Sequence, residues 1–179
     1  MAQEEFLSCI RHDVVALEKR LLAITEGRTD EKMTTRDKHG HWSMCETIHH
    51  MIQASEGYPA AIEKAIEKTR YQRPHIGAVE LSTLGKLIIK HGGPGGNAPA
   101  PSHIVPKNDM TRDEVVGKWV EVHHRLSEVT KLAESIDIVK TEARSPIFKL
   151  ISLRLADAFE ILVMHSERHI QQLEERYPR

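Results

Sequence analysis

Apolar residues recur at the three- and four-residue spacing of a helix in four long stretches, each with its own start and stop signals. In residues 3–26, Phe6, Ile10, Leu17, Leu21 and Ile24 form one stripe with Val14 beside it, and Gly27 closes the helix. Residues 28–41 are mostly polar and read as a loop. A second helix opens at Ser43 with Glu46 three places on, a capping box that satisfies two orphan N–H groups reciprocally. It runs to about Lys68 on a stripe of Met44, Ile48, Met51, Ile62 and Ile66, and Pro59 predicts a kink or local break inside it. A third helix starts at Thr111 with Glu114 as another capping box, and Val115, Trp119, Val122, Leu126 and Ala133 form its stripe. The fourth runs from Ser152 to about Arg176, with Leu155, Ala158, Phe159, Leu162, Ile170 and Leu173 on one side.

The connections are unequal. Residues 69–110 hold a short amphipathic helix around 79–90, then a Gly/Pro-rich run from His91 to Pro101 whose composition cannot sustain regular structure. Residues 135–151 are of mixed character, and Ser145-Pro146 forbids helix locally. No strand pattern of any length is visible. These features predict an all-α fold, a four-helix bundle over 1–179 as a single domain. The long crossover between helices 2 and 3 excludes a simple up-down-up-down order.

Composition narrows the function classes. The chain has 179 residues, 40% hydrophobic and 28% charged, with a net charge of −1, as expected for a globular domain with a core. No Lys/Arg block points to nucleic acid, and no apolar run is long enough for a membrane span. The N-terminal residues lack the layout of a signal peptide, and Cys9 and Cys45 have no motif spacing. The expectation is a cytoplasmic protein with reduced thiols.

Histidine is the outlier, with 12 residues against 4% aromatic content. His165 and His169 are four apart, so they stack on one helix face, inside or beside the apolar stripe. On the second helix His50 lies at the edge of the stripe, whereas His49 points away from it. If the second and fourth helices run antiparallel, the start of one lies beside the end of the other, and His50, His165 and His169 meet. Three imidazoles suit a divalent Zn, Ni or Fe ion and leave positions for water and substrate. Other candidates fare worse. His123 sits one turn from Trp119 and reads as a packed core-edge histidine. Glu46-x-x-His49 and Glu121-x-x-His124 imitate a di-iron carboxylate motif but face outward, or are already used by the cap. In His165-Ser-Glu-Arg-His169 the glutamate is one place late for a zinc-protease motif. Arg168 could orient an anionic substrate, but an outward arginine on a helix is more often a solvated charge, and Asp13 reads as a helix-edge carboxylate.

Three segments together resemble a known family. Trp42-Ser43, Glu46 and His50-Met51 are similar to the start of helix 2 in the DinB/YfiT-like superfamily. His165-Ser-Glu-Arg-His169-Ile-Gln-Gln-Leu resembles its closing helix, and Ser145-Pro146-Ile-Phe148 resembles the stretch that precedes it. Ala98-Pro99-Ala-Pro101 sits where related chains carry a Pro-rich crossover. The resemblance implies a four-helix bundle of unusual connection order, a divalent metal held by His50, His165 and His169, and frequent homodimers. It implies a metal-dependent hydrolase or thiol S-transferase acting on a small molecule, with a low-molecular-weight thiol as second reactant in the transferase case. Ser145 and Lys149 depart from the family's usual histidine and glycine. The competing expectation is a non-catalytic bundle that binds partners and keeps the histidines without using a metal.

Overall fold

A computed structural model describes residues 1–107 and 109–178. Four long helical stretches pack side by side: α1 (Gln3–Thr25), the pair α3 (Met44–Ser55) and α4 (Tyr58–Lys68), α6 (Arg112–Leu132) and α7 (Leu155–Arg176). Helix α1 lies against α6 and α7, and α3 packs on the same two helices. The predicted stripes supply the core: Ile10, Leu21, Met44, Ile48, Met51, Val115, Trp119, Phe159 and Ile170 are all essentially inaccessible. Both capping boxes are formed. The Ser43 and Thr111 side chains accept from the amides of Glu46 and Glu114, whose carboxylates accept from the Ser43 and Thr111 amides.

The structure departs from the sequence reading in three places. The kink or local break expected at Pro59 is a full interruption, so the second predicted helix is two helices. Ser55 ends α3, Glu56 and Gly57 form the joint, and Pro59 sits in the first turn of α4, where a missing N–H costs nothing. A Cβ at Gly57 would lie 2.8 Å from the Pro146 side chain, so the joint doubles as a close contact with the segment before α7. The polar 28–41 stretch contains a short helix, α2 (Asp30–Thr34), capped by Thr29 and pinned by the buried Met33.

The third departure is a two-stranded antiparallel ribbon where no strand was expected. Strand β1 (Glu142–Arg144) pairs with β2 (Ser152–Arg154), so α7 begins at Leu155 rather than Ser152. Each strand has three residues, too short to show periodicity. Burial of the facing pair Ala143 and Leu153 holds it to the core.

Helix α5 (Thr83–Gly92), in the long connection, lies outside these four stretches and packs on α7. Its start is clamped there. The Asp157 carboxylate accepts from the Ser82 amide at 2.8 Å and from the Ser82 hydroxyl at 2.6 Å, while Ser82 caps the Gly85 amide. Gly85 faces Asp157 so closely that a Cβ there would collide with the carboxylate. With α5 in place, one side of α7 that a bare bundle would leave in water is covered.

Candidate metal centre

Helix α3 packs on α7, and His50 meets His165 and His169. One nitrogen from each ring falls within 4.8 Å of the others. Ring centroids are 5.2 Å apart for His50 and His165, 5.0 Å for His50 and His169, and 4.6 Å for His165 and His169. His50 and His169 are buried and His165 is half-buried.

Two of the rings are held from behind. His50 Nδ1 lies 2.9 Å from the Ile104 carbonyl, and His169 Nδ1 lies 2.9 Å from Gln172 Oε1. Both partners are acceptors, so each neutral ring donates through Nδ1 and keeps a bare Nε2. That is how histidine ligands are usually oriented. The Trp42 ring packs on His50 with centroids 5.0 Å apart.

Burial also sets the protonation. It is the main reason the His50 imidazolium is disfavoured, with a part of that loss returned by the Ile104 carbonyl. His165 is pushed well below 6.5 by burial and then by its two histidine neighbours. His169 is lowered to about 3, again chiefly by burial. At neutral pH all three rings are neutral with lone pairs available. A set of three neutral imidazoles, two with fixed tautomers, fits a divalent transition ion. Slight side-chain rotations would gather the three atoms around one ion.

The rings lie in the wall of a cavity of about 700 Å³. Helix α5 and the Gly/Pro-rich run (Leu87, Ile88, Pro99, Pro101) close one side, and Ile147, Phe148 and Ile161 another. The buried Ser145 shapes this second wall. Its hydroxyl accepts from the amides of Ile147 and Phe148 at 3.3 and 3.0 Å and pairs with the Tyr58 hydroxyl at 3.0 Å.

Other sequence candidates fall elsewhere. His49 turns to the Lys107 carbonyl, 3.2 Å away. His123 stacks on Trp119 with centroids 3.6 Å apart and contacts the Trp119 carbonyl at 3.1 Å. Glu121 and His124 are exposed, and Glu167 pairs with Arg20, so neither the di-iron nor the zinc-protease pattern is assembled. Asp13 stands half-exposed beside His12, away from the cavity.

Arg168 lines the cavity, against the solvated-charge reading and in keeping with the alternative that it orients an anionic substrate. Three more residues were missed. Gln172 holds His169, a relation visible only as an i, i+3 spacing. Trp42 carries the family resemblance in the sequence, and in the structure its ring packs on His50. His41 lines the cavity and its Nδ1 is 2.6 Å from Asp37, which that imidazole holds down to about 2. His41 lies in a loop, where spacing says nothing about direction.

A family model for the DinB superfamily matches residues 14–173. The chain belongs to the DinB superfamily. Its fold resembles that of YfiT from Bacillus subtilis, described as a probable metal-dependent hydrolase with an unusual four-helix bundle topology. That likeness has a TM-score of 0.56 at 16% identity and covers 97% of this chain and 86% of YfiT. At such identity it speaks for the DinB fold alone. No curated protein matches the chain significantly. Among the described residues, no helix is long and apolar enough to cross a membrane.

Proposed function

We propose that this DinB-superfamily chain is a divalent-metal-dependent enzyme acting on a small molecule, with His50, His165 and His169 holding the ion. One observation carries the reading: three neutral imidazoles with nitrogens within 4.8 Å share the wall of a cavity of about 700 Å³. A bound Zn²⁺, Ni²⁺ or Fe²⁺ would supply Lewis acidity, polarising a substrate oxygen or lowering the pKa of a water or thiol.

The chain's own residues do the rest. Ile104 and Gln172 orient two of the rings. The apolar walls bind the substrate body and exclude bulk water. Among the described residues no Asp or Glu lines the cavity to serve as the carboxylate base common in metallohydrolases. His41 takes that place in our reading: Asp37 holds its Nδ1, and its Nε2 takes up or returns a proton. Hydrolysis is the leading reaction, in line with the description of YfiT. The cavity volume supports thiol transfer as the second reading, because it has room for a second small reactant.

Metal analysis of untagged protein tests the proposal, followed by screening of ester, amide and thiol-transfer substrates with and without chelator. The expected result is near one divalent ion per chain, activity lost on chelation, and a His41→Gln variant that keeps the ion but turns over slowly. No uptake of any of the three ions and no turnover would overturn it in favour of a binding protein, and turnover untouched by chelation would overturn the role of the metal.

A further inference from the structure

We infer that the cavity selects an organic carboxylate with an apolar body, and that Arg168 is the side chain that holds the carboxylate. This shares a site with the reading above but stands on different residues.

The first observation is charge. The cavity wall includes Arg168 and Arg176 from α7 and, among the described residues, not one Asp or Glu. The three clustered histidines bring no negative charge in either protonation state, so any bound ion would add two positive charges that no cavity carboxylate among the described residues offsets. A low-dielectric cleft with charge of one sign focuses its field and concentrates small ions of the opposite sign.

The second observation is an arginine left without a partner. Arg168 Nε is buried and has no hydrogen-bond acceptor. Nη1 reaches only the His91 carbonyl, at a long 3.5 Å. Nη2 has no protein acceptor among the described residues and, unlike Nε, is not enclosed, so the end of the guanidinium open to a ligand is Nη1–Nη2. A desolvated cationic donor with nothing to donate to is unfavourable, and natural structures rarely leave one. The missing acceptor has a definite shape. Two parallel N–H groups on a planar fork match the two oxygens of a carboxylate.

The third observation is the rest of the wall. Leu87, Ile88, Pro99, Pro101, Phe148 and Ile161 leave little polar surface for a sugar or a peptide backbone to pair with. An anionic head on an apolar body satisfies both halves of the cavity. Arg168 is a specificity residue for this ligand, not a ligand to the ion.

Isothermal titration with 4-phenylbutyrate, the neutral 4-phenylbutyramide and 2-phenylethyl phosphate tests the assignment. The titrations use metal-free and zinc-loaded parent, Arg168→Gln and Arg168→Lys, with helicity and melting temperature recorded for each. In metal-free parent the carboxylate should bind about tenfold tighter than its amide or more, as a charge-assisted bidentate pair requires. Arg168→Gln should bring that ratio near one, and Arg168→Lys, which keeps the charge but not the fork, should fall between. Equal affinity for acid and amide, no saturable binding of the acid, or a preference that survives Arg168→Gln would overturn the inference. A phosphate ester that binds tenfold tighter than the acid would overturn the carboxylate assignment. A preference seen only with zinc and indifferent to Arg168 would put the anion on the ion, supporting the metal reading against this one. An Arg168-dependent preference in a protein that takes up no ion would do the reverse.

Discussion

Gln172 offers the sharpest test of how the metal centre is built. Its Oε1 is the acceptor for His169 Nδ1 at 2.9 Å, so the neutral ring must carry its proton on Nδ1 and present a bare Nε2. Replacing Gln172 with Leu removes the acceptor. The ring is then free to turn, or to carry its proton on Nε2, where the proton blocks the ligand atom. Partners of this kind are worth about 10–100-fold in metal affinity, or roughly 1.4–2.7 kcal/mol. Gln172→Glu keeps an acceptor in the same place and adds negative charge, so affinity should hold or rise. The assay is zinc affinity by competition with a chelating dye, beside thermal melts of each metal-free variant. Leu and Glu variants that both bind zinc within threefold of the parent would refute the reasoning. Equal losses in both would also refute it, since a purely structural role for Gln172 predicts that pattern.

Three further outcomes are expected. Zinc at about a hundred times its dissociation constant should stabilise the parent by about 2.7 kcal/mol, a rise of roughly 5–11 °C in Tm for a chain of this size, and His165→Ala/His169→Ala should show no rise. Burial, partly offset by the Trp119 carbonyl, lowers His123 to about 4. Between pH 6.5 and 4 the unfolded chain therefore binds more protons at this residue than the folded one. The His123 contribution is whole above about pH 6.5 and is lost as pH falls to about 4, amounting to as much as about 3 kcal/mol. Urea midpoints of His123→Asn should fall less steeply with acid than those of the parent, and parallel curves would contradict this. Gly85→Ala should push α5 off Asp157, costing about 1–3 kcal/mol and opening the cavity. Faster amide exchange confined to residues 82–93 would report it, and unchanged exchange would show that the contact is slack.

The sequence alone carried what local chemistry can carry. Helix stripes and capping boxes depend on neighbours within four residues, so α1, α6 and the starts of α3 and α6 were legible. The pairing of His165 with His169 was legible for the same reason, being an i, i+4 relation on one helix. His50 was different: its facing was readable, but its meeting with the other two depended on the relative direction of two helices, which no local spacing encodes. The break near Pro59 was legible from the proline itself, whereas the ribbon and helix α2 escaped because segments of a few residues show no periodicity and are held by the bundle core.

Arg168 marks the boundary most clearly. The sequence places it outward on the fourth predicted helix, where an arginine is more often a solvated charge than an orienting group for an anionic substrate. Helix α5 covers it, held by Asp157 and made possible by the absence of a side chain at Gly85. A residue's place on a helix follows from its own sequence, whereas what stands opposite depends on chain more than seventy residues away.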